Sequence, residues 1–188
     1  MGKTYHALDE ELQQWIAAQH MFVVATAPLA TEGHINCSPK GGDCFRVLGS
    51  HEVAYLDYTG SGIETVAHLR ENGRITIMFS AFTGPPKILR IYGRGEAILP
   101  DDRRFAALAA HFPSNPGTRS IIRVEVDRIA DACGFAVPTY TFENDRKVLD
   151  DWATQKGPAG VQTYQSTRNA VSIDGLPGLA RSAGQGSS

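Results

Sequence analysis

A succession of short apolar, β-branched runs, cut apart by glycine, proline and aspartate, most constrains how this chain can fold. Met21–Ala27, Glu52–Thr59, Arg74–Phe79, Lys87–Leu99 and Ser120–Val126 each have extended character and are bounded by turn residues. Two weaker runs, His34–Ser38 (stopped by Pro39) and Cys44–Leu48, lie between the first two. Gly93 and Gly95 mark bulges or points of close approach within the longest run. The runs amount to about six strands with few long crossovers, so an antiparallel sheet or small barrel is expected, in an α+β rather than a doubly wound fold.

Helical periodicity is confined to the margins of these runs. Leu8–Gln19 carries Leu8, Leu12, Trp15 and Ile16 on one flank, with Asp9 near its start. Ile63–Asn72 places Ile63, Val66 and Leu69 inward and ends at Gly73. Asp101–Phe112 reads as a third helix. From Gly134 the character changes. Thr141–Gln155 and Ala159–Arg168 read as helices separated by Lys156-Gly157-Pro158, and Ser172–Gly178 is rich in turn residues. The expected division is a barrel domain over 1–133, a helical extension over 134–179 packed on the barrel or on a dimer partner, and a small, polar, disordered tail over 180–188.

The 188 residues are 42% hydrophobic, enough for one core without disulfide staples. A formal net charge of −2 gives no electrostatic case for nucleic acid or an anionic membrane. The apolar runs are too short to cross a bilayer, and the N-terminus lacks the apolar stretch of a secretory signal. Three cysteines without C-x-x-C spacing and six scattered histidines argue against a disulfide framework or a structural zinc site. The expectation is a reduced, cytoplasmic protein, with Cys37 and Cys44 as buried, inert thiols.

Three segments could carry chemistry. Leu56–Thr65 passes from a strand through Gly60-Ser61-Gly62 into a helix. Free amides and the positive helix end could hold a phosphate there, with Ser61 and Thr65 as added donors. Ser61 and Glu64 equally fit a capping box of purely structural use. Asn36–Arg46 brings Lys40 and Arg46 to either side of a flexible loop, where they could share an anion or simply be solvated. Arg90, Tyr92 and Arg94 share one face of a strand, which suits a planar anionic ligand or a solvent face. No nucleophile–base set stands out among the side chains, which favours a borrowed cofactor or no catalysis.

With those segments in view, "FVVATAP", "NCSPKGGDCFRVL", "VAYLDYTGSGIETVAHLRENGRITIMF" and "PPKILRIYGRGEAI" resemble the pyridoxamine 5′-phosphate oxidase-related family of FMN-binding split barrels. "GFAVP" and "RNAVSIDGLPG" resemble the C-terminal part of a bacterial branch of that family. The resemblance implies a six-stranded split β-barrel that forms a homodimer, with FMN at the subunit interface and a small-molecule substrate. It implies phosphate contacts from Lys40, Arg46, Ser61 and Thr65. The ring and ribityl chain would be lined by Asn36, Cys37, Ser38, Asp57, Tyr58 and Thr59, and Arg90 would stand near the flavin. The family's Thr-Asn-Tyr-x-Ser-Arg-Lys stretch falls on Asp57–Ile63, where Gly62 and Ile63 replace the basic pair, and its flavin-contacting Gln falls on Ile88. The Arg-x-His-Asp-Arg-type segment of the vitamin B6 oxidases is replaced by "NAVSIDGLPGL", which argues against that activity. The implied function is an FMN-dependent oxidoreductase transferring two electrons through flavin N5. The alternatives are a non-catalytic flavin-binding module or a relative that uses heme or a deazaflavin.

Overall fold

The computed structural model describes residues 2–179. The elements run β1 (Thr4–Tyr5), α1 (Glu10–Ala17), β2 (Met21–Thr26), β3 (Asn36–Gly41), β4 (Phe45–Gly49) and β5 (Glu52–Tyr58). They continue with α2 (Glu64–Asn72), β6 (Arg74–Ser80), β7 (Ile88–Ile98), α3 (Phe105–Ala109), β8 (Thr118–Ala132) and α4 (Val148–Arg168). All strand pairs are antiparallel, in the order β3-β2-β6-β7-β8-β5-β4, with β1 beside β8.

That order dictates the shape. β3 and β4 are consecutive in the chain yet occupy opposite ends of the sheet, joined by residues 42–44 alone. Four peptide steps from Gly41 to Phe45 reach about 14 Å. The same seven strands laid flat would separate their edges by about 29 Å. The sheet therefore curls until its edges face each other, giving a split barrel open only between β3 and β4. The six strands expected become eight. β1 adds a short ladder off the main path, and β3 and β4 are both full strands. Pro39 does not stop β3. It sits opposite Val23 on an edge strand, the position in a sheet that tolerates a missing amide.

Alternation along the strands builds the core. Phe22 and Val24 of β2, Ile75, Ile77 and Phe79 of β6, and Leu89 and Ile91 of β7 all point inward and are buried. Phe22 is the hub, with ring centroids 5.1 Å from Phe45, 5.5 Å from Tyr55 and 5.4 Å from Phe79. Leu8, Leu12 and Ile16 are buried in the same core, and the Asp9 carboxylate caps α1 by accepting from the Leu12 amide. Gly93 sits at a bulge where a Cβ would lie 2.1 Å from the Glu125 carbonyl oxygen, so no side chain fits.

The largest departures from the expected bounds are at α3, β8 and the first C-terminal helix. α3 is only five residues, because the Asp102 carboxylate accepts from the Arg104 amide and guanidinium and holds 101–104 in turns. β8 runs fifteen residues rather than seven, since β7 pairs along most of it while β5 and then β1 pair along successive parts of its other edge. The first C-terminal helix begins at Val148, not Thr141. Gly157 (φ 66°) and Pro158 then break α4 where the sequence suggested. At α2, Ile63 is the N-cap and makes no side-chain cap bond, so the Ser61–Glu64 capping box is not formed. The Glu64 carboxylate accepts instead from the Ile173 amide.

His68 of α2 is buried, with Nδ1 2.9 Å from Thr26 Oγ1. Burial pushes its pKa down despite the acidic Asp174, Glu64 and Glu71 nearby. A depressed folded value means that its contribution to stability is full above the unfolded value of about 6.5 and is lost as pH falls through the folded one. His68→Gln, which can keep the Thr26 bond, should flatten the fall in melting temperature as pH drops below about 6.5. An unchanged pH profile would remove His68 as its source.

Candidate functional site

A cleft of about 340 Å³ opens between β3 and the turn that leads into α2. Period-two alternation turns Asn36, Ser38 and Lys40 toward it, Pro39 between them also lines it, and Cys37 is exposed outside it. Ser38 Oγ donates to Asn36 Oδ1 (3.0 Å), and Asn36 Nδ2 donates to Thr65 Oγ1 (3.0 Å). The second bond ties the polar face of β3 to the first turn of α2, and the first steadies Asn36 for it. Tyr58, Gly60, Ser61, Gly62, Glu64, Thr65 and Arg119 complete the lining.

A buried charge network lies directly beneath. Asp57 is fully buried. Its Oδ2 accepts from Arg119 Nε (2.9 Å) and Ser120 Oγ (3.1 Å), and its Oδ1 lies 3.4 Å from Lys40 Nζ. Burial alone would raise the Asp57 pKa, but Arg119, Lys40 and the hydrogen bonds outweigh it and hold the carboxyl below its ordinary value. Arg119 Nη1 donates to the Gly62 carbonyl (2.8 Å) and to Asn169 Oδ1 (2.9 Å), while Asn169 Nδ2 donates to the Gly60 carbonyl (2.9 Å). The C-terminal segment is thereby tied to the glycine turn of its own chain. Gln165 Nε2 donates to Thr59 Oγ1 (2.8 Å), and the Asp174 carboxylate accepts from the His34 amide and ring.

The structure brings some of the sequence-derived site residues together and separates others. Asn36, Ser38, Lys40, Tyr58, Ser61 and Thr65 share the cleft. Asp57 and Thr59 are buried under it rather than exposed to a ligand, each already engaged by a side chain. Cys37 is exposed rather than buried. Cys44 is buried as expected, and burial pushes its thiol up to about 12, so it stays protonated. Arg46 does not join Lys40. Asp43 takes its guanidinium from three residues away, Nε donates to the His111 carbonyl (2.7 Å), and the group stands over the Phe112 ring. It lines a separate cavity of about 620 Å³ between α1 and β4. Arg90 lies on β7 opposite Met78 and Ala130, outside the cleft. The expectation of a disordered 180–188 tail lies outside the described residues.

Arg119 and Asn169 escaped the sequence reading. The signal for Arg119 was available: Asp57 ends the apolar run of β5 and Arg119 precedes the apolar start of β8, and a charge beside such a run needs a buried partner. Nothing local marks Asn169, because its partners lie about a hundred residues away or, in Arg119, fifty.

Residues 8–133, two thirds of the chain, match the pyridoxamine 5′-phosphate oxidase family. The chain is 36% identical over 194 residues to the pyridoxamine 5′-phosphate oxidase family protein ustO of Aspergillus flavus, covering 93% of this chain and 77% of that one. In fold it is similar to HupZ of Group A Streptococcus (21% identity, 71% of this chain and 98% of that one, TM-score 0.51). A Lactobacillus delbrueckii protein is similar to the same degree (16% identity, 68% and 98%, TM-score 0.51). Eight antiparallel strands curled around a single seam, and sequence similarity over most of the chain, lead to one assignment: the chain belongs to the pyridoxamine 5′-phosphate oxidase family.

Proposed function

We propose that the cleft between β3 and the head of α2 binds FMN, and that the chain is a flavin-dependent oxidoreductase acting on a small molecule as a homodimer with the flavin at the subunit interface. The observation that carries this reading is the convergence of Asn36, Ser38, Lys40, Ser61 and Thr65 on one helix N-terminus in a member of this family. The donor set suits a phosphorylated, hydrogen-bonding guest. Lys40, Ser61 and Thr65 offer one cation and two hydroxyls where the α2 dipole favours an anion. Asn36, Ser38 and Tyr58 supply short polar arms for the remainder of the molecule.

Bound FMN would supply two-electron transfer. The chain's own part is to bind, orient and exclude water. Burial raises the Tyr58 pKa, so at neutral pH its hydroxyl remains a donor. The Glu64 carboxylate already accepts from the Ile173 amide, which ties one wall of the cleft to the C-terminal segment. Arg46 and Arg90 have no role in this proposal.

Lys40→Ala should weaken FMN binding about ten- to a hundredfold, the loss of one charge-assisted contact. Arg46→Ala should leave it essentially unchanged. Quenching of flavin fluorescence measures both. Equal losses in the two variants, or none at Lys40, would overturn the assignment. Stopped-flow reduction of the bound flavin by a nicotinamide donor then separates an oxidoreductase from a protein that only holds flavin.

A further inference from the structure

The carbonyls of Gly60 and Gly62 both point into the buried network, held by Asn169 Nδ2 (2.9 Å) and Arg119 Nη1 (2.8 Å). Every peptide of the described chain is trans. In a planar trans peptide the N–H points opposite to the C=O. Anchoring these two carbonyls in the network therefore turns the Ser61 and Ile63 amides to the opposite side of the turn, whose Gly60, Ser61 and Gly62 line the cleft. Among the described residues neither amide donates to a group in the chain. A glycine turn has little intrinsic preference for one peptide orientation, so the orientation must come from the partners of its carbonyls.

Those partners form one connected unit. Asn169 is fully buried and accepts from Arg119 with Oδ1 while donating to Gly60 with Nδ2. Arg119 is oriented in turn by Asp57. Asn169 itself is seated by the segment that follows it, where its carbonyl accepts from the Leu179 amide (2.7 Å) and Gly178 packs so closely that a Cβ would lie 2.5 Å from that carbonyl and 2.7 Å from Ile63.

We infer that Asn169 and Arg119 are positioning residues for the phosphate of the cleft: they aim the Ser61 and Ile63 amides at the anion from below, so that the C-terminal segment prepares the phosphate site without touching it. The inference rests on the proposed flavin cleft and adds the claim that phosphate recognition depends on residue 169.

The test compares FMN with riboflavin, which lacks the phosphate, on the full-length protein. The unmutated chain should prefer FMN about tenfold or more. Asn169→Ala should cut that preference several-fold, Lys40 still holding the phosphate, while leaving riboflavin affinity unchanged, and Asn169→Asp, which keeps the acceptor for Arg119 but sets a carboxylate against the Gly60 carbonyl, should do the same. Equal losses for both flavins would mark Asn169 as merely structural and overturn the inference, as would unchanged affinities. If the unmutated chain binds neither flavin, the FMN proposal fails by itself and inorganic phosphate decides this one. Phosphate should raise the melting temperature of the unmutated protein by clearly more than that of Asn169→Ala. Equal protection of both, or protection of neither, refutes the inference. Should both variants fail to fold, the unmutated protein still answers: titration with inorganic phosphate must shift the Ser61 and Ile63 amide protons in NMR spectra, and static resonances would refute it.

Discussion

Asp57→Asn should destabilise the fold by about 3–5 kcal/mol, because it leaves the Arg119 guanidinium buried without its counter-charge. The aspartate is fully buried and Arg119 almost so, which places this pair outside the range of weak surface bridges. Lys40, at 3.4 Å, compounds the loss by leaving a second cation at the same spot. Urea denaturation measures the change. A loss under about 1 kcal/mol would show the charge to be solvated after all. Asp57→Asn combined with Arg119→Met should recover part of that loss, since it removes the unpaired buried charge, and not all of it, because the Gly62 carbonyl and Asn169 Oδ1 lose their donor. The sign of the pH dependence follows from the depressed Asp57 pKa. Its contribution is complete above the unfolded value of about 3.9 and disappears as pH falls through the lower folded value. The single variant should accordingly lose part of the acid-induced fall in stability below about pH 4.

Phe22→Ala should cost about 3–5 kcal/mol, the usual range for removing a large aromatic from a core. Its effect has a structural direction. Phe22 belongs to β2, next to one edge of the sheet, while its ring partners Phe45 and Tyr55 belong to β4 and β5 at the other end. No ladder joins those edges, so these ring contacts help to hold the seam. The variant should show faster amide exchange at β3 and β4 than at β7 and β8, alongside the drop in melting temperature. Uniform exchange across all strands would show that the seam is held by something else.

The sheet was legible because its signals are local. β-branched alternation in Met21–Thr26 and Arg74–Ser80 and the glycine stop at Gly73 act within a few residues. The meeting of β3 with the Ser61 turn was expected from family resemblance rather than from any local pattern. What failed was decided by partners distant in the chain or by unweighed local competition. Pro39 stands in a strand because β3 happens to be an edge, a fact of strand order that no window around Pro39 contains. Arg46 was paired in expectation with Lys40, yet Asp43, three residues away, had first claim on it. The helix expected at Asp101–Phe112 lost its first turn to Asp102, which bonds locally to Arg104 in competition with the helical backbone. The network under the cleft joins residues 57, 119 and 169, and only folding brings those three distances to a few ångströms.

The seam between β3 and β4 has one more consequence. Strand pairing there is zero, so the peptide link at 42–44 bridges two edges that share no ladder. The portion of the molecule before the link is retained by β1 zipped to β8 and β2 zipped to β6, both of which lie after it. Continuity of the polypeptide is thus redundant at this point: a nicked molecule would keep every rung it had, and the gap is where extra sequence could be spliced in without unpairing a strand.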